Sequence, residues 1–281
     1  MKRMIMMLAV VVAAQVTGAA TLKIAGSDTL VRLGQRLAAE YMRLHKGVSI
    51  KVSGGGSATG FEALIKGEAD ICEASRDMGP LEYAYAEERG VRPFRVPVAR
   101  DGVVVYVHPE NTLEGLSIDQ LKAVFTGRVV NFAEVGGPDL KIRAYGRDSN
   151  SGTYFFFRQN ALDYAPYSSS LVELPSTASV VNAVARDRHG IGYGGIAWSK
   201  EARLLAVSIS EDAPAVLPTP ETVASGEYPL SRYLYWYTDG EPTGEVKRLI
   251  NWVLGEQGRR VTQEAGYVPL TERQAEANMV R

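Results

Sequence analysis

One cysteine, three histidines and no long apolar run set the first limits on this 281-residue sequence. A single cysteine excludes an intrachain disulfide framework. Cys72 lies in the apolar stretch Asp70-Ile71-Cys72, the setting of a buried structural thiol rather than a reactive one. His45, His108 and His189 are far apart and form no metal-spaced pair. Charge of one sign is also missing: 31 Lys and Arg against 32 Asp and Glu leave a net charge of −1. That balance offers no basic footprint for nucleic acid. The longest apolar run, Met4 to Ala14, has 11 residues. It is too short to cross the ~30 Å hydrocarbon layer as a helix. What is present is 46% hydrophobic and 22% charged residues, a globular rather than a disordered composition. The length suits one large domain or two smaller ones.

The N-terminus reads as a secretory leader over residues 1–20. Lys2 and Arg3 start it, the apolar run follows, and Thr17-Gly18-Ala19-Ala20 supplies a small-residue cleavage zone. The alternative is a buried N-terminal helix. No cysteine follows the run, so no lipid anchor is expected on the mature chain. Removal of residues 1–20 takes out two basic side chains and no acid, leaving 29 against 32, or −3. A periplasmic protein is expected.

Along the mature chain, short strand patterns alternate with helical ones, the signature of an α/β layer fold with parallel strands. Leu22–Ala25, Val48–Val52 and Ala69–Ala74 read as strands. Leu30, Leu33, Leu37, Tyr41 and Leu44 fall at helical spacing, as do Phe61, Leu64 and Ile65. Val96 to Val107 forms a long extended stretch broken at Asp101-Gly102. Ser117-Ile118-Asp119-Gln120 fits a capping box before Leu121, Val124 and Phe125. Lys141–Tyr145, Ile191–Tyr193 and Tyr233–Tyr237 read as further strands. Val180 to Ala185 marks a helix, and Val246 to Val253 the last one. The expected organisation is two α/β lobes, 21–99 plus 227–281 and 100–226, with the chain crossing between them near residues 99 and 227.

Three loops, each between a strand and a helix, are rich in Gly, Ser and Thr: Gly26 to Leu30, Ser53 to Gly60, and Arg147 to Thr153. A helix start carries unpaired N–H groups and about half a positive charge, so it attracts anions. Glycine admits close backbone approach and hydroxyls add donors. Such loops gather at the carboxyl ends of the strands, where ligands bind. Each loop alone reads equally as ordinary helix capping; three together point to an anion. Arg147 adds a planar fork suited to an oxyanion. It also suits a salt bridge to a nearby Asp or Glu, and the two roles are compatible.

No catalytic, cofactor or metal site is expected. Ser53 to Gly60 lacks the Gly-Lys-Ser/Thr ending of a nucleotide-binding loop. Ser57 has Gly55 before it but Thr59 after it, so the nucleophile-elbow pattern fails.

Taken in order, these segments resemble the periplasmic phosphate-binding proteins of bacterial phosphate-specific ABC transporters. The resemblance spans nearly the whole mature chain. It rests on Ala25-Gly26-Ser27-Asp28-Thr29-Leu30, Gly56-Ser57-Ala58-Thr59-Gly60, Ala69-Asp70-Ile71, Ala74-Ser75-Arg76, Arg100-Asp101-Gly102-Val103, Phe125-Thr126-Gly127-Arg128, Asn131 to Gly137, Arg147 to Thr153, and Gly190-Ile191-Gly192-Tyr193. It implies a two-lobed periplasmic binding protein fold of type II that closes about inorganic phosphate and serves a membrane ABC transporter permease as a monomer.

By resemblance, Thr29 would donate its hydroxyl and N–H, Leu30 its N–H, and Ser57 its hydroxyl. Arg147 would make charge-assisted bonds, while Ser151, Gly152 and Thr153 would cap the anion from the other lobe. The family's usual aspartate after the Ala-Ser pair accepts the phosphate proton; here Arg76 stands there, and arginine accepts nothing. Arg76 is then a second phosphate-facing cation, or a partner of Asp77, Asp101 or Glu73. Asp101 is the first choice of acceptor, ahead of Asp77 and Asp148. It reads equally as a turn residue before glycine. The departure at Arg76 keeps open a receptor for another oxyanion or a phosphorylated small molecule. A secreted phosphate-ester hydrolase is the alternative of another class.

Overall fold

The computed structural model describes residues 20–280. The leader expected over residues 1–20 lies outside the described residues, except that Ala20 opens the first strand.

The N-terminal elements are β1 (Ala20–Gly26), α1 (Val31–Leu44), β2 (Val48–Ser53), α2 (Ser57–Ile65), β3 (Ile71–Ala74) and α3 (Pro80–Glu88). The 15-residue β4 (Pro93–Val107) follows. Then come β5 (Gly115–Ser117), α4 (Ile118–Phe125), β6 (Arg143–Arg147), α5 (Gly152–Asn160), β7 (Val172–Leu174), α6 (Thr177–Arg186), β8 (Gly190–Gly195), β9 (Arg203–Ser208) and α7 (Pro220–Ser225). The chain ends with β10 (Ser231–Asp239), α8 (Gly244–Leu254), α9 (Glu256–Glu264), β11 (Val268–Pro269) and α10 (Glu272–Asn278).

The strands follow the order β2-β1-β3-β10-β4-β8-β6-β7. β1 runs parallel to β2 and β3, and β6 runs parallel to β7 and β8. The long strands β4 and β10 run antiparallel to their neighbours, so the sheet is mixed rather than purely parallel. β4 pairs with β10 from Pro93 to Gly102 and with β8 from Val103 to Val107. The expected break at Asp101-Gly102 is absent: both residues sit in continuous strand, which excludes the turn reading of Asp101. The irregularity falls earlier, where Leu234 faces Ala99 and Tyr235 faces Pro97, leaving Val98 as a bulge.

Two hydrophobic bodies flank this ladder. One holds Leu22, Ile24, Leu37, Val96, Val98, Leu234, Trp236 and Ile250; the other holds Val103 to Val107, Phe125, Phe157, Val180, Ile191 and Leu205. β4 thus changes bodies between Ala99 and Val103. A smaller cluster of Phe61, Leu64, Cys72, Met78 and Tyr237 covers the other face of the first body's sheet. Cys72 is fully buried there, and burial pushes its thiol up, as fits a structural thiol.

Helices with an apolar stripe fall where their periodicity placed them, and Ser117 caps α4 through the Gln120 N–H. α3 was missed because only Ala86 of it is buried. α8 is not the last helix: the largely polar α9 and α10 follow, and α10 is announced by a Thr271–Gln274 capping box.

Candidate functional site

The three polar loops meet between the two bodies. Ser27, Thr29, Ser57, Ser75, Ser151 and Thr153 are all buried. The hydroxyls of Thr29 and Thr153 are hydrogen-bonded at 2.9 Å across 124 residues of sequence. Ser27 Oγ donates to Ser75 Oγ at 2.9 Å, and the Ser75 N–H donates to Ser57 Oγ at 3.1 Å. The first turn of α2 has no side-chain cap; the Ala58 N–H there donates to the Asn150 carbonyl at 3.1 Å. Two glycines permit this approach. A Cβ on Gly56, whose φ is +101°, would sit 2.5 Å from the Asn150 oxygen, and one on Gly152 would collide with Ser57 Oγ and Ser75 Oγ. Ser151 caps α5, its hydroxyl accepting from the Thr153 and Tyr154 N–H groups.

Two arginines enter the same cluster. Arg147 Nη2 donates to Asp28 Oδ2 at 2.7 Å and to the Pro175 carbonyl at 3.0 Å. Its Nη1 donates to Thr177 Oγ1, and its Nε to the Leu174 carbonyl. The salt-bridge reading of Arg147 is therefore realised, with Asp28. Arg232 donates from Nε and Nη2 to Asp101 Oδ2 at 3.1 and 2.8 Å. It also reaches the Ser75 carbonyl at 2.9 Å and Thr153 Oγ1 at 3.0 Å. Asp101 Oδ1 accepts the Ile196 N–H at 3.1 Å. Asp101 and Arg232 are direct partners in the β4–β10 register, so their side chains leave the same face of the sheet. Burial pushes the Asp101 carboxyl up and the Arg232 guanidinium down, while their mutual attraction opposes both.

Of the residues expected at the site, Thr29, Ser57, Asp101, Arg147, Ser151, Gly152 and Thr153 come together. The Leu30 N–H is spent on the Ser27 carbonyl at 2.9 Å. Arg76 differs most from expectation: its side chain meets none of the carboxylates of Asp77, Asp101 and Glu73. Its two Nη atoms hold Glu82 at 2.6 and 2.7 Å, because the α3 cap fixes that carboxylate nearby. Asp77 is more than half exposed and binds Arg95. Asp148 accepts the Asn150 N–H within its own loop. Neither belongs to the cluster.

Sequence reasoning missed Asp28, Ser75, Thr177 and Arg232. Arg232 had a signal. It stands in phase with Leu234 and Trp236 in an alternating strand, so the pattern places a cation on a buried face. Among the described residues, no group of three or more His, Cys, Asp or Glu is placed to hold a metal.

A family model described as a PBP superfamily domain matches residues 11–257. The phosphate-binding protein PstS of Pseudomonas aeruginosa is 34% identical over 269 residues, covering 89% of this chain and 83% of that protein. PstS of Bacillus subtilis is 30% identical over 253 residues, covering 90% and 81%. Among solved structures, an ABC-type phosphate transport receptor from Vibrio cholerae aligns with a TM-score of 0.71 at 25% identity, covering 88% of this chain and 99% of that one. A putative phosphate ABC transporter substrate-binding protein from Clostridium perfringens, solved with bound phosphate, has the same fold. Its TM-score is 0.79 at 24% identity, with 89% and 100% covered.

Proposed function

The chain belongs to the PBP superfamily and, within it, to the family of PstS phosphate-binding proteins; from that premise we propose that it binds inorganic phosphate between its two lobes and delivers it to a membrane ABC transporter. The observation that carries this reading is the buried cluster of hydroxyls and two arginines drawn from both hydrophobic bodies. The family places the protein outside the cytoplasm. Export through residues 1–20 without a lipid anchor is part of the proposal.

The lobes are proposed as 21–99 plus 227–281 and 100–226. The crossings would then lie where β4 and β10 run side by side. Thr29, Ser57, Ser151 and Thr153 would donate hydroxyls, and Gly152 would lend the start of α5. Arg147 and Arg232 would supply charge. A carboxylate is needed because hydrogen phosphate carries a proton and sulfate does not. Asp101, buried against Thr153 through Arg232, fills that role best, with Asp28 second. An unmatched buried polar group costs ~1–3 kcal/mol, and a repelled charge costs more. No covalent step is involved: contacts from both sides favour the closed form.

Calorimetric titration of ligand-stripped protein tests this directly. Heat with phosphate and none with sulfate is expected; silence with phosphate at low salt overturns it.

A second reading, a phosphate monoester, draws support from a cavity of about 510 Å³ beside the cluster. Ser75, Arg232, Phe155, Phe156 and Tyr233 line it. Competition of monoesters against phosphate separates the two.

A further inference from the structure

Arg76 stands next to Ser75 of the hydroxyl cluster but turns its charge elsewhere. Both Nη atoms bind Glu82, and Nη1 also donates to the Asp77 carbonyl at 2.9 Å. Glu82 is itself held, accepting the Gly79 N–H at 2.7 Å at the start of α3. These bonds occupy the edge of the guanidinium plane and leave its faces. The ring of Phe61 lies 4.9 Å from the guanidinium carbon and the ring of Phe155 lies 4.8 Å from it. Arg76 Nε is buried with no hydrogen-bond partner, so the rings are its surroundings there. The side chain is only 12% exposed.

The two rings belong to different parts of the molecule. Phe61 lies in the small cluster against β3, with Tyr237 edge-on at 5.2 Å. Phe155 lies on α5, whose Phe157 is in the core of the opposite body. The next residue, Phe156, lies under Arg232 at 5.2 Å. One turn of α5 therefore meets the cluster at Thr153 and two arginines of the opposite body at Phe155 and Phe156.

We infer that Arg76 is a closure latch: its guanidinium, oriented by Glu82, is clamped between Phe61 and Phe155 when the lobes shut, and it holds the closed form without touching the anion. The inference rests on the phosphate reading for its ligand, but the latch itself is independent of which anion binds. A cation over an aromatic face is attracted by the ring quadrupole, more so when desolvated. Because the contact forms only on closure, its loss should act on release more than on capture. Arg76 and Phe155 are thus positioning residues.

Phe155 is the residue to change, since it is 38% exposed and its removal leaves the cores intact. With phosphate as probe, Phe155→Ala should raise Kd by about three- to tenfold, almost all of it in the off-rate. Phe155→Leu keeps apolar bulk without the ring and should lose most of the same factor. In Arg76→Gln protein, Phe155→Ala should have little further effect. Small-angle scattering without phosphate reads the latch separately: the radius of gyration should be larger in Phe155→Ala than in the parent. An off-rate and a radius both unchanged overturn the latch. Equal losses from Phe155→Ala with and without Arg76 overturn it too. A parent that binds no phosphate, while the variant still opens, sinks the ligand assignment and leaves the latch supported.

Discussion

Two aspartate–arginine pairs flank the same hydroxyl cluster, one buried and one part-buried, and they are assembled in different ways. Asp101 and Arg232 are cross-strand partners in the β4–β10 ladder, with side chains 0% and 3% exposed. Forming the sheet is enough to bring them together. Asp28 comes from the loop after β1 and Arg147 from the last position of β6, on different hydrophobic bodies, and Asp28 keeps 15% exposure. They meet only where that loop reaches the end of β6. The same chemistry is thus set by strand register in one place and by closure in the other. A buried charge whose partner is fixed by strand register keeps that partner whether or not an anion enters. A charge paired across a cleft can exchange its partner for an entering anion.

The sharpest way to break this comparison is Asp101→Ala. It strands Arg232 as a lone buried cation, so a loss of ~3–5 kcal/mol in denaturant unfolding is expected. Adding Arg232→Met should recover much of it. If the single variant is as stable as the parent, Arg232 does not need that partner.

Glu73 extends the contrast to a buried carboxyl without a cation. It is fully buried, accepts from Trp236 Nε1 at 3.1 Å, and its Oε2 has no partner. Burial pushes its pKa from 4.5 up to about 8. The folded protein therefore keeps a proton that the unfolded chain releases between those values. The contribution of Glu73 to stability is fullest at and below about pH 4.5 and falls as pH rises towards 8. The slope is roughly 1 kcal/mol per pH unit. In Glu73→Gln the decline should flatten in unfolding curves taken across that range; an unchanged slope assigns it to other groups.

For the cleft pair, Arg147→Ala should weaken phosphate binding about tenfold or more, read by titration. Its unfolding midpoint should shift less than that of Asp101→Ala. Undiminished affinity removes Arg147 from the site. The smallest effect compares two capping serines. Ser117→Ala should cost ~1 kcal/mol of stability and leave affinity alone. Ser151→Ala should cost a similar amount and weaken binding as well, since α5 opens onto the cluster. Equal affinities for the two variants would erase the distinction.

Legibility followed the range of the forces involved. Strand-to-helix loops, the Ser117 cap and the apolar stripes of α1, α6 and α8 are local patterns and fell where expected. α3 and α9 carry almost no apolar stripe and were invisible to periodicity. Asp101-Gly102 looked like a turn, because aspartate before glycine favours one. Pairing with Arg232 and Ser231 instead holds both residues extended.

The amino-acid order by itself determined the three hydroxyl-rich loops and the helices they open, since caps and glycines act within a few residues. Only the tertiary structure decided the partners. Arg232 finds Asp101 across 131 residues through strand register, Arg147 finds Asp28 across 119 where the end of β6 meets the loop after β1, and Arg76 finds Glu82 because a cap fixes that carboxylate. Charge is unspecific in sequence; distance chooses its partner, and the fold sets the distance.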